Sequence, residues 1–241
     1  MTAIFCMAMF STTMAQDTPA VGDYFYNDGT WSSDYDSSKT CIGIVFASGE
    51  QPGDEVKNYG KKFAGKSIKG YVVALENVKE YAKAPFYATE EAKRYPAGEE
   101  KVNWKTYNGY TKTRKLFKSE EFKNDRKSYR CLRNFNGWNK ANPTPENTSG
   151  WYIPSPAQMW ASVAGCVNEK NKNERLSKAY EEHAKAYSPE QRAFFYFSSE
   201  LNTNSAPVGM VVNTSANKVA KKNALTAKER GLIRAVLTII Q

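Results

Sequence analysis

The sequence predicts an α+β fold, and three observations carry it. Apolar segments that end in turn formers recur along the chain, at Gly150-Trp151-Tyr152-Ile153-Pro154-Ser155, Tyr196-Phe197-Ser198-Ser199-Glu200 and Arg234-Ala235-Val236-Leu237-Thr238-Ile239. Between two of them Ser155-Pro156-Ala157-Gln158 has the form of a helix start, with serine at the cap, proline at the first helical position and glutamine at the third. No internal repeat and no strand–helix alternation of the dinucleotide-binding kind runs through the chain, so strands and helices are mixed without a parallel-sheet pattern.

In chain order, Ala3 to Phe10 is a short apolar run, and Ser11 to Ala15 supplies the small residues of a secretory signal, with Thr13 and Ala15 at the −3 and −1 positions of a cut before Gln16. The basic segment usual at the start of such a signal is missing, so the alternatives are a sequence that lacks its true start and a mobile apolar tail. The expected division is a signal peptide over 1–15 and a single domain over 16–241. No window reaches the roughly 20 apolar residues of a membrane helix, and Cys6 lies inside the apolar run and not after the cut, which favours soluble export over a lipid anchor. The expected location is secreted, periplasmic or cell-surface.

Val21 to Tyr26, the turn Asn27-Asp28-Gly29 and Thr30-Trp31-Ser32 read as a hairpin. Cys41 to Ala47 and Gly70 to Leu75 are almost continuously apolar, which places them centrally in a sheet, and Gly49 to Lys69 between them reads as an irregular connection. A short helix is expected at Thr89 to Arg94, stopped by Pro96-Ala97-Gly98. Asn108-Gly109-Tyr110 introduces Thr111 to Phe117, and Ser119 begins a helix expected to reach Leu132, with Phe122, Tyr129 and Leu132 on one face. Asn134 to Ser149, rich in asparagine with Gly137, Pro143 and Pro145, reads as a long loop. Helices are then expected over Ala157 to Asn168 and Asn171 to Lys185. The first of these puts Trp160 in the core and not on a sugar-stacking surface. Phe194 to Phe197, Pro207 to Val212 and Leu232 to Ile239 are the closing strands.

Composition narrows the function. The formal charge is +9, from 34 basic and 25 acidic residues, but the basic residues are spread through Lys57 to Lys140 and Lys170 to Arg230 among acids. That favours solubility and loose attraction to polyanions over a nucleic-acid site; for an exported protein, sulfated or acidic glycans fit such an attraction better than DNA. After the signal three cysteines remain, Cys41, Cys131 and Cys166, read as buried thiols or as one Cys131–Cys166 bridge with a thiol left over. No cysteine or histidine cluster has zinc spacing, so neither metal nor cofactor is expected. His183, the one histidine, lies in a polar helical run and reads as solvated. The paired acids Glu90-Glu91, Glu120-Glu121 and Glu181-Glu182 are adjacent on helices and do not face one another. No nucleophile elbow is present. The chain is therefore expected not to be an enzyme.

The motif order Gly70-Tyr71-Val72-Val73-Ala74-Leu75, Asn108-Gly109-Tyr110-Thr111-Lys112-Thr113, Cys131, Gly150-Trp151-Tyr152-Ile153-Pro154-Ser155, Phe195-Tyr196-Phe197-Ser198-Ser199-Glu200 and Arg234-Ala235-Val236 resembles, from Val21 to Ile240, a bacterial secreted domain family of unknown function. That family includes the C-terminal domain of collagen-like bacterial adhesins, and the closest forms are those common in gut Bacteroidales. The resemblance implies a C-type-lectin-like or formylglycine-generating-enzyme-like fold, with two main helices packed on one irregular, mostly antiparallel sheet. It does not imply either activity. The calcium-site motifs of true lectins are absent, no cysteine pair matches the enzyme's, and Phe197 stands where relatives tend to have tryptophan.

The expected role is a secreted or surface module that binds or adheres to a glycan or a surface protein without catalysis. The alternatives are an accessory component of a cell-envelope complex and, behind it, a glycan-active hydrolase. The candidate binding residues are Trp138 and Asn139 in the long polar segment, Arg130 and Arg133 around Cys131, and Tyr110. Aromatic rings beside amide and guanidinium groups suit a pyranose face and its hydroxyls, or a partner surface. The same aromatics could instead cover an irregular sheet, and Arg130 could pair with a nearby acid.

Overall fold

Two five-stranded sheets and a set of short helices make up the computed structural model, which describes residues 17–78, 84–85, 102–167, 172–183, 194–201, 207–213, 218–225 and 230–241. The expected signal segment and the expected helix at Thr89 to Arg94 lie outside the described residues. The strands are β1 (Tyr24–Tyr26), β2 (Trp31–Ser32), β3 (Cys41–Ser48), β4 (Ile68–Ala74), β5 (Ala84–Pro85), β6 (Phe194–Leu201), β7 (Pro207–Asn213), β8 (Lys218–Lys222), β9 (Arg230–Leu232) and β10 (Val236–Ile240). The first sheet has the order β10-β4-β3-β1-β2 and is antiparallel throughout. The second has the order β5-β9-β6-β7-β8, in which β6 and β9 pair in parallel and the other neighbours are antiparallel.

The α+β class, the first hairpin and the central apolar strands follow the sequence expectation. The single irregular sheet does not. Leu232 to Ile239 reads as one strand because it is apolar throughout, yet the chain leaves the second sheet after β9, passes through buried Ile233, Arg234 and Ala235, and enters the first sheet as β10. The crossing stays hydrogen-bonded: Val78 N donates to Ile233 O at 3.0 Å and Ala74 N to Ala235 O at 2.9 Å. Two of its carbonyls are thus paired although it belongs to neither sheet.

The helices are α1 (Gly109–Lys118), α2 (Glu120–Asn124), α3 (Arg130–Ala141), α4 (Pro156–Met159), α5 (Gly165–Val167) and α6 (Glu174–His183), with a π-helical turn over Trp160–Ala164 joining α4 to α5. The helix expected from Ser119 to Leu132 is broken, because the Asp125 side chain accepts a hydrogen bond from Ser128 N at 3.3 Å and holds a turn that competes with helix. Phe122, Tyr129 and Leu132 are all buried as expected, although from two helices.

The expected loop Asn134 to Ser149 is corrected in its first half, which is the body of α3. Cys131, Leu132 and Phe135 are buried and Trp138 packs against the same cluster, an i, i+1, i+4, i+7 stripe that drives helix formation despite the asparagines and Gly137 between. The helix stops at Ala141 because Asn142 precedes Pro143 and leaves the helical region, and its side chain donates to Trp138 O at 2.8 Å. The helix start at Ser155 forms as expected. The Ser155 hydroxyl accepts from Gln158 N at 3.2 Å, and the Gln158 carbonyl accepts from Ser155 N at 2.9 Å.

Candidate functional site

Beside the first sheet lies a groove of about 470 Å³, within the size range of small-ligand sites. Its floor and one side come from the turn after β1 (Asn27), the start of β3 (Thr40, Cys41, Ile42) and the exit of β4 (Ala74, Leu75, Glu76). The other side comes from the end of α3 (Trp138, Ala141, Asn142, Pro143), from Trp151, and from His183 at the end of α6.

Local sequence explains each wall. Trp138 is the last member of the α3 stripe, so its ring is half-buried, with centroids 5.7 Å from Trp151 and 6.3 Å from Phe135. Trp151 is buried, and its indole N–H has no hydrogen-bond acceptor among the described residues. A buried donor without an acceptor is costly in a finished core, and here it belongs to a ring that lines a cavity. At the end of α6, His183 stacks face to face on Tyr35, at 3.9 Å and 10°, and meets the Tyr24 ring edge-on at 5.0 Å. Tyr35 is 44% exposed. Glu182 holds this corner: its carboxylate accepts from the Tyr24 hydroxyl at 3.2 Å and lies 3.9 Å from His183 Nε2. Burial, reinforced by that carboxylate, pushes the Tyr24 phenol up to about 12, so it stays a neutral donor.

The frame of the groove is rigid at the β4 exit. Ala74 O accepts from the Tyr180 hydroxyl at 3.3 Å and from Arg234 Nη1 at 3.2 Å, and the buried Arg234 guanidinium stands over the Tyr180 ring. Arg175 anchors the start of α6 to Asp23 at 2.5 Å. Asn147 Nδ2 donates to Gly29 O at 3.0 Å, tying the segment after α3 to the first hairpin.

Of the residues picked out from the sequence, the structure brings Trp138 to the groove and sets Asn139 behind it, where its amide donates to Trp151 O at 3.4 Å. Arg130 and Arg133 are exposed on α3, and neither lines the groove. Tyr110 sits elsewhere, on α1, packed against Tyr59 and Tyr152 with Arg114 over its ring. Arg114, Lys115 and Lys118 of that helix line a second, broader concavity of about 720 Å³ together with Glu120 and Glu121.

His183, read as solvated, is instead half-buried in the groove wall. The signal that places it is the stripe Leu176, Ala179, Tyr180, His183 at i, i+3, i+4, i+7, whose first three members are buried. Trp160 is half-buried against a third core cluster, edge-on to Trp104, with Lys221 Nζ 4.7 Å from its ring. Cys131 and Cys166 are buried thiols in separate core clusters, each pushed up to about 12 by burial, which suppresses thiolate chemistry. The Ser198-Ser199-Glu200 motif is structural: Ser198 Oγ donates to Val208 O at 2.8 Å, Ser199 N to Pro154 O at 2.8 Å, and Glu200 meets Lys112 at 3.4 Å.

Compared with known proteins, the chain matches no family model and no curated protein. It is similar in structure to a fimbrial protein from Bacteroides ovatus, with a TM-score of 0.57 and 20% sequence identity over 91% of this chain and 48% of that one. At that identity the likeness is one of fold, and this chain spans about half the length of the fimbrial chain. The match lends no support to the C-type-lectin-like or formylglycine-generating-enzyme-like packing, nor to the collagen-like adhesin family, that the motif resemblance implied. Among the described residues no helix is long and apolar enough to cross a membrane.

Proposed function

We propose that this chain is an exported binding module of a bacterial surface, residues 16–241 acting as one unit, that holds a glycan or protein ligand in the groove between β4, α3 and α6 without transforming it. The observation that carries the reading is that Trp138, Trp151 and His183, the last stacked on Tyr35, line one groove together with the amides of Asn27 and Asn142 and the carboxylate of Glu76. Ordered rings lose little entropy on binding, which is why such walls suit ligand capture. A single carboxylate, Glu76, among the described lining residues favours binding over glycoside hydrolysis, which needs two acids across a cleft. The fold likeness to a fimbrial protein supports a surface setting.

The test is retention of the purified protein on immobilised glycans and on an envelope extract. Trp138→Ala is expected to lose retention by about tenfold or more, while Arg133→Ala, on the solvent side of α3, leaves it unchanged. Equal retention of both variants would remove the groove from the account. A second reading, a structural component of a larger surface assembly, is favoured by the fold likeness to a fimbrial protein. It predicts a stable partner from the envelope extract that Trp138→Ala does not release.

A further inference from the structure

The fold gathers positive charge that is spread along the chain. Two stretches hold no acid and many bases: Val56 to Lys69, with five lysines, and Val102 to Ser119, with Lys105, Lys112, Arg114, Lys115 and Lys118. Distant in sequence, they meet in the structure. Tyr59, the last residue of the 3₁₀ turn Val56–Tyr59, packs on Tyr110 in the first turn of α1 with ring centroids 4.4 Å apart, and Tyr107 N donates to Pro52 O at 2.8 Å. The concavity of about 720 Å³ opens at this junction, with Asn58 from one stretch and Thr111, Arg114, Lys115 and Lys118 from the other in its lining. It shares no described lining residue with the groove.

Thr111, Arg114, Lys115 and Lys118 stand at i, i+3, i+4 and i+7, on one face of α1. The three cations are exposed, and among the described residues none of them makes an ion pair, whereas Lys112 meets Glu200 at 3.4 Å and is not in the lining. Arg114 is held over the Tyr110 ring at 5.5 Å, which orders its guanidinium. The lining carboxylates, Glu120 and Glu121, stand together at the start of α2, and Glu120 is answered by Lys123 at 2.6 Å. Beyond the Asn58 wall the chain continues through exposed Lys61, Lys62 and Lys66. An anion entering here meets cations that need not give up an internal partner, with a hydroxyl and an amide beside them for its neutral oxygens. The described lining has no aromatic or aliphatic residue, so it lacks the apolar centre of a protein interface and the stacking rings of a single-stranded nucleic-acid site. We propose that this junction is a second binding face, for the sulfate or carboxylate groups of an acidic polysaccharide.

The affinity of the full chain for dextran sulfate and polygalacturonate, against uncharged dextran, polyglutamate and duplex DNA, tests this. The expected result is binding of an acidic polysaccharide and not of dextran, weakening about tenfold or more as salt rises from about 0.05 to about 0.2 M. Lys115→Gln/Lys118→Gln then binds about tenfold or more weakly at the lower salt, with a shallower salt dependence. Arg130→Gln/Arg133→Gln, which removes the same charge from exposed positions of α3, changes the affinity less than about twofold. An equal loss in the two double variants would show attraction to net charge alone and overturn the site. Tighter binding of polyglutamate or DNA than of either acidic polysaccharide would overturn the ligand class, and binding of neither polysaccharide overturns the proposal outright. Wild-type amide shifts during titration with a short dextran sulfate carry the same test should a variant not fold. They are expected at Asn58, Arg114, Lys115 and Lys118, and shifts gathered away from both stretches overturn the site.

Discussion

Asp54 is the buried acid at the centre of the polar interior. Only 3% exposed, its carboxylate accepts hydrogen bonds from the hydroxyls of Tyr59 and Tyr71, from Asn58 Nδ2 at 3.2 Å and from Glu55 N at 3.0 Å. Tyr59 continues the network to Thr238, and Thr238 to Tyr152, at 2.8 and 2.9 Å. Desolvation still outweighs these donors and holds the Asp54 carboxyl above its ordinary 3.8. The folded state therefore keeps a proton that the unfolded chain has already released, so stability falls as pH rises from about 4 through the raised value. Asp54→Asn removes that dependence. Urea unfolding at acid and neutral pH should show the wild type losing stability relative to Asp54→Asn as pH rises, and a gap that widens in the opposite direction contradicts the sign. Single residues were the least legible level of the sequence. Trp138 is conspicuous in the sequence as a tryptophan beside asparagine, whereas His183 is hidden by its polar neighbours although its spacing from Tyr180 and Leu176 marks the buried face.

Gln158 joins elements that are far apart in sequence. Its side-chain carbonyl accepts from Ser155 N at 2.9 Å and from Gly109 N, at the first residue of α1, at 3.2 Å; its amide donates to the Tyr152 hydroxyl at 2.7 Å. One side chain thus caps α4, caps α1 and fixes a core tyrosine. Gln158→Ala leaves buried donors unpaired and should cost about 2 to 4 kcal/mol, read from the denaturation midpoint. Gly109→Ala should be comparably harmful, since a Cβ there would press on Gln158 Oε1 and stand 2.6 Å from the Ser155 nitrogen. Near-wild-type midpoints for both would show that the junction is not a structural joint. The Ser155 cap was legible because it is local chemistry. Its reach to Gly109, across 49 positions, is a tertiary fact. The α3 helix was misread for the converse reason, that asparagine and glycine signal loops locally while burial of Cys131, Phe135 and Trp138 overrides them.

At the scale of the molecule, the central place of β3 and β4 is legible from their uninterrupted apolar runs, whereas the mostly antiparallel pairing is what the motif resemblance implies. The division into two sheets was not, since pattern cannot show where an apolar run changes partner, and β8, mostly exposed with the sequence Lys-Val-Ala-Lys-Lys, carries no apolar signal at all. Its lysines do suit its position at the edge of the second sheet, where charge discourages pairing with another chain. Lysines and arginines lie on α1 and the β8 edge, and rings line the groove at the junction of β4, α3 and α6. The central claim is that this junction is the ligand site, and mapping backbone and indole ¹H–¹⁵N shifts during titration with the methyl pyranosides of glucose, galactose, mannose and N-acetylglucosamine tests it most directly. The account predicts the largest shifts at the indole N–H groups of Trp138 and Trp151 and at the amides of Leu75, Glu76 and Asn142. Shifts gathered instead on Arg114, Lys115 and Lys118 of α1, with the two indoles unmoved, would contradict it.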